Sequence, residues 1–127
     1  MEKRNVILNK LLVSCNAQEM IEDLNEIIYE YAYVMMAYSS KRGYVLTNEY
    51  DELYHIRLIL ESLKKSQNFD DALLNIGSEK HWTKTITNIV IHYSTGIFEV
   101  MEEYLPERAG IHIAILKDII NAFESAS

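Results

Sequence analysis

The chain has 127 residues, with 12 Lys and Arg against 19 Asp and Glu for a formal net charge of −7, and a single cysteine. That length fits one domain spanning the chain, large enough to bury a core without a disulfide or a metal, and the lone Cys15 cannot form an internal bridge. The acidic balance excludes a generic nucleic-acid binder, which needs clustered cations, and no apolar run nears the roughly 18 residues of a membrane span.

Met1-Glu-Lys-Arg-Asn-Val-Ile-Leu-Asn-Lys has charges but breaks its apolar run at once, so no signal peptide is read there and a cytoplasmic location is expected. One proline and four glycines leave few helix breakers, and they fall between periodic segments. A short helix is predicted over about Lys3–Val13, where Val6, Ile7, Leu8, Leu11 and Leu12 are too crowded for strand alternation. Asn16 followed by Glu19 has capping-box spacing and starts a second helix. Along it Met20, Ile21, Leu24, Ile27, Ile28, Tyr31, Val34, Met35 and Tyr38 recur at three- and four-residue steps up to about Ser39. Lys41-Arg42-Gly43 ends it, with cations at the negative helix end and a glycine for a left-handed cap.

Thr47-Asn48 caps a third helix running to about Ser66 through Leu53, Ile56, Leu60 and Leu63. Phe69 to Gly77 reads as one or two helical turns. Ser78 caps a longer segment with Trp82, Ile86, Ile89, Val90, Tyr93, Ile97, Val100, Met101 and Tyr104 on one stripe. Thr83 to Thr95 is rich in β-branched residues that favour strands, but the apolar spacing fits 3.6 residues, so a helix is predicted. Gly96 inside it marks a kink or a close helix contact. Pro106 suits a last helix's first turn, and that helix carries Ile111, Ile115, Leu116, Ile119, Ile120 and Phe123. The expected fold is all-α: an antiparallel bundle of four long amphipathic helices with one or two short accessory segments.

Charge is unevenly distributed along this frame. No Lys or Arg lies between Lys10 and Lys41, while Glu19, Glu22, Asp23, Glu26 and Glu30 fall in that gap on one helical face. Like charges three or four residues apart each cost a few tenths of a kcal/mol, so an unmixed stripe points to a docking face for a basic partner. Seven of the nine tyrosines lie within residues 29–54, with Tyr29 and Tyr33 near those carboxylates and Tyr44 in the loop that follows. Tyrosine gives large, rigid, amphipathic contact area at interfaces. Glu22, Asp23, Glu26, Glu30, Tyr29, Tyr33 and Tyr44 are therefore the expected partner-binding residues. The function expected is a small acidic binding module that neutralises or regulates a basic protein, an immunity or antitoxin-type inhibitor of a nuclease toxin. That reading assigns no catalytic residue, cofactor, metal, nucleic acid or membrane.

Two catalytic alternatives rest on histidines. Glu52-Leu-Tyr-His55 has the Glu-x-x-His spacing of di-metal helical bundles, although no second copy occurs. His92 and His112 lie in or beside apolar stripes and read as satisfied core histidines rather than ligands, with Arg108 and His112 also spaced as a surface pair. Asn88-Ile-Val-Ile-His92-Tyr93, followed by Glu99 to Leu105-Pro106, resembles the Arg-Asn-x-x-x-His stretch of the HEPN family, helical bundles that include ribonuclease toxins. The resemblance implies a catalytic role for His92. Thr87 stands where that pattern has its arginine, so half of the implied catalytic pair is missing. A homo-oligomer pairing through its own Tyr and Met surface is the remaining alternative. Cys15 has no cationic neighbours and is expected to be a small packed residue rather than a nucleophile.

Overall fold

The computed structural model describes residues 5–13, 15–43, 48–65, 68–100 and 108–126. Within them the chain is all-α, with helices α1 (Val6–Leu11), α2 (Ala17–Arg42), α3 (Asn48–Lys65), α4 (Phe69–Leu74), α5 (Glu79–Val100) and α6 (Ala109–Ala126). Four are long and two short, as the periodicity predicts. Tyr44, Thr47, Met101, Tyr104 and Pro106, each given a place by the sequence, lie outside the described residues.

The caps of α2 are those its sequence encodes. The Glu19 N–H donates to Asn16 Oδ1 at 2.8 Å and the Asn16 N–H to Glu19 Oε1 at 3.2 Å, which satisfies two amides the helix start would leave unpaired. Gly43 closes the helix at φ 65°, a left-handed conformation a Cβ would strain, and its N–H returns to the Ser39 carbonyl. The β-branched run of α5 is helical throughout. Thr87 Oγ1 donates to the Thr83 carbonyl at 2.7 Å, one way a threonine hydroxyl is absorbed by its own helix.

Cross-helix contacts fix the directions. Tyr31 meets Tyr93 edge-on at 5.9 Å, Val34 and Met35 lie over Gly96, and Arg42 pairs with Glu99, so α2 and α5 run the same way. Tyr93 reaches His112 while Trp82 stacks on Phe123, so α6 runs against α5. Glu52 reaches His92 while His55 packs on Trp82, so α3 also runs against α5. The four long helices thus alternate up, down, up, down, with α2 and α5 as the touching diagonal. Gly96 makes that closeness possible: a Cβ there would sit 2.6 Å from Met35 Cε and closer still to Val34. The close-contact reading of this glycine holds.

Trp82, Tyr31, Tyr93, Phe69 and Phe123 are the largest fully buried side chains, and each apolar side chain so buried contributes about 1.5–3 kcal/mol. The Trp82 indole N–H donates to the Leu73 carbonyl at 2.7 Å and ties α5 to α4. At the other end of α4, Asp70 is buried and accepts from the Ile7 and Leu8 amides at 2.8 and 3.1 Å. Helix α1 has no side-chain cap of its own, so its first-turn amides are satisfied by a carboxylate far off in sequence, 63 residues from Ile7.

Candidate functional site

Helix α2 divides its acidic residues between two environments. Glu22 is exposed on the outer face. Asp23 and Glu26 instead point towards α6: Arg108 donates through Nε to Glu26 and through a terminal nitrogen to Asp23 at 3.1 Å. His112 Nε2 donates to Glu26 Oε1 at 2.8 Å, because a carboxylate can only accept. That leaves His112 Nδ1 to accept the Tyr93 hydroxyl at 2.9 Å. His112 is fully buried, so Arg108 and His112 are a bridge across the α2–α6 seam, and the surface-pair reading is corrected here. Partial burial opposes ionisation of Glu26, but the hydrogen bonds from His112 and Arg108 outweigh it and hold the carboxyl below its ordinary range. Burial, reinforced by Glu30 and Glu26 nearby, pushes the Tyr93 phenol up. Glu30 itself is half-buried.

The remaining outer face of α2 is aromatic. Tyr29 and Tyr33 are 81 % and 64 % exposed and Met36 is 66 % exposed, at steps of four and three residues that align them along the helix. Tyr50 and Tyr54 are exposed on α3, and Ile91 and Phe98 on α5. Of the expected partner-binding residues, the structure therefore places Glu22, Tyr29 and Tyr33 outward. It commits Asp23 and Glu26 to α6 and leaves Tyr44 outside the described residues.

A second centre lies between α3 and α5. Glu52, 4 % exposed, accepts the Tyr31 hydroxyl and the His92 Nδ1–H on the same Oε2 atom, the latter at 2.9 Å. A carboxylate bound at Nδ1 fixes the imidazole's orientation and tautomer, leaving Nε2 as its acceptor. His92 borders two clefts. One of about 260 Å³ is lined by Asp51, Glu52, Thr85, Asn88 and His92, and one of about 120 Å³ includes Tyr38, Glu49 and Gly96. Among the described residues lining them there is no Lys or Arg.

Glu52 and His55 do not converge on a common point. Glu52 turns to Tyr31 and His92, whereas His55 donates through Nδ1 to its own helix at the Asp51 carbonyl, at 2.7 Å. The His55 Nε2 lies 3.1 Å from His81 Nε2. Among the described residues no group of three or more His, Cys, Asp or Glu is placed to hold a metal. The partnership of Glu52 with His92 spans 40 residues, and a one-dimensional pattern carries no signal for it. Cys15 is half-buried, and desolvation with Glu19, Asp23 and Asp118 nearby pushes its thiol up, away from nucleophilic character.

No protein-family description matches this chain, and neither curated proteins nor solved structures give a significant match. No described helix is long and apolar enough to cross a membrane.

Proposed function

We propose that this chain is a small acidic protein-binding module that neutralises or regulates a basic partner, as an immunity or antitoxin-type inhibitor of a nuclease toxin. The observation that carries this reading is the exposed row of Tyr29, Tyr33 and Met36 on α2. A monomer gains nothing from displaying two tyrosines and a methionine in line, whereas aromatic and Met side chains are enriched at interface centres. Glu22 precedes the row on the same side of α2 and half-buried Glu30 flanks it, so a negative field borders the apolar contact. Such a field speeds encounter with a cationic surface and selects against acidic ones.

Asp23 and Glu26 support the site from beneath, since they hold α2 on α6 through Arg108 and His112. A charge-reversal test therefore leaves Glu26 intact. The experiment is co-expression with basic nuclease toxin domains, beginning with any encoded beside the gene for this chain. Wild type and Glu19→Gln protect the cells; the double variants Tyr29→Ala/Tyr33→Ala and Glu22→Lys/Glu30→Lys fold but fail to protect. Full protection by both double variants refutes the assignment.

One observation favours a second reading, acid–base chemistry at His92, because Glu52 orients that imidazole beside a polar cleft. For the HEPN-like ribonuclease the substrate is a phosphodiester, which would meet Asp51 and Glu52 there without a described cation among the lining residues. An RNA-cleavage assay of wild type against His92→Ala separates the readings: cleavage lost on substitution establishes the enzyme, and no cleavage by either removes it.

A further inference from the structure

We propose that His55 and His81 form a binding site for a single divalent transition-metal ion of borderline softness, Cu(II), Ni(II) or Zn(II). Their Nε2 atoms lie 3.1 Å apart. With metal–nitrogen bonds of about 2.0–2.1 Å, that separation subtends roughly 100° at an ion, between the square and tetrahedral angles. Imidazole nitrogen is the ligand these ions favour.

The surroundings prepare the pair for this role. His55 already spends its Nδ1–H on the Asp51 carbonyl at 2.7 Å, which leaves the Nε2 lone pair free and fixes the ring. That is the outer-shell arrangement which typically orients a metal-ligating histidine. The Asp51 carboxylate, 3.7 Å from the same Nδ1, adds negative charge that favours a cation. His55 is buried between Trp82, at 4.9 Å, and Tyr54, at 6.4 Å, so its ring is held. His81 is exposed and gives the ion its approach from solvent.

Gly77 is the independent witness. Among the described glycines only Gly43 has a positive φ, so the conformation at position 77 does not call for glycine. Space does: a Cβ at 77 would lie 2.7 Å from His81 Cγ and closer still to Cδ2. The absent side chain is what lets the His81 ring occupy its place against His55.

Without an ion, His81 Nε2–H donates to His55 Nε2. Metal binding moves that proton to His81 Nδ1 through solvent and places the ion to one side of the line joining the two nitrogens, with no redox change. Two histidines are the protein's whole contribution among the described residues, and water completes the coordination. The site is thus an exchangeable one on a fold that forms without it, unlike a closed structural zinc centre.

The test uses the full chain after treatment with a chelator. Zn(II) is titrated by calorimetry, and Cu(II) by electron paramagnetic resonance, which reports nitrogen ligands. The expected result is one ion per chain with two imidazole nitrogens. His81→Ala should lower affinity at least about tenfold, and Gly77→Ala, which keeps both histidines but displaces one ring, should also weaken it. Because His81 is exposed, its substitution leaves the fold intact, which circular dichroism verifies. Absence of binding by the wild type, or undiminished affinity in both variants, overturns the proposal.

Discussion

Replacing Asp70 with alanine tests whether a single carboxylate secures the amino-terminal helix. In the native chain Asp70 is 7 % exposed and accepts from two backbone amides, Ile7 at 2.8 Å and Leu8 at 3.1 Å. The Asn5 side chain answers by accepting the Asp70 N–H at 3.3 Å. A hydrogen bond to a charged acceptor contributes about 1.5–3 kcal/mol, and a buried donor left without a partner costs about 1–3 kcal/mol. Ile7 is fully buried, so its amide cannot turn to water, whereas the Leu8 amide lies in a half-buried region that water can reach. The two losses together are about 3 kcal/mol. For a chain of this size that lowers the thermal midpoint by roughly 10 °C. Asp70→Asn keeps one neutral acceptor and should lose about half as much. Thermal melts followed by circular dichroism give the midpoints, and amide hydrogen exchange gives the local effect, with Ile7 losing protection before the α5 amides. A midpoint for Asp70→Ala within about 2 °C of wild type would show that α1 is held by apolar packing alone and would refute the argument.

Tyr31→Phe removes the hydroxyl that Glu52 accepts and should cost about 1–2 kcal/mol in urea unfolding, while Tyr29→Ala and Tyr33→Ala should stay within about 0.5 kcal/mol of wild type. Glu26 has its carboxyl held low, so the stability it contributes is complete above the ordinary Glu value of about 4.3 and is lost as the pH falls through the depressed native value. Wild type should therefore exceed Glu26→Gln in stability at neutral pH, and the gap should close in acid; a gap independent of pH would contradict the bridge to Arg108 and His112. Gly96→Val adds branched atoms where even a Cβ meets Val34 and Met35, and should destabilise by about 1–3 kcal/mol despite valine's better helix propensity, measurable as a lower urea midpoint.

Local signals in the sequence carried most of the architecture. The Asn16–Glu19 box, the Gly43 stop and the three-four spacing through α2 act within one helix, so they can be read without knowing what the helix packs against. The same holds for α5, where period outweighed β-branched propensity because packing of one face decides the state of such a segment. The site was less legible. Helical spacing put Glu22, Asp23 and Glu26 on one face, but a face has edges, and the neighbour at an edge comes from another helix. Arg108, 82 residues beyond Glu26, turns two of the three inward. Likewise Glu52 and His55 share a helix face yet serve different partners, His92 and His81, that only the crossing of α3 over α5 supplies.

The chain's single tryptophan gives it an optical reporter at a useful place. Trp82 is fully buried, stacked on Phe123 at 5.3 Å with the planes 2° apart, and edge-on to His55 at 4.9 Å. Its emission therefore senses two events separately. Loosening of α6 from α5 exposes the indole to water and shifts its spectrum to the red. A paramagnetic ion bound beside His55 quenches the emission while the core stays closed. Both the histidine corner and the core can thus be followed through one native fluorophore in a dilute solution of the unlabelled protein.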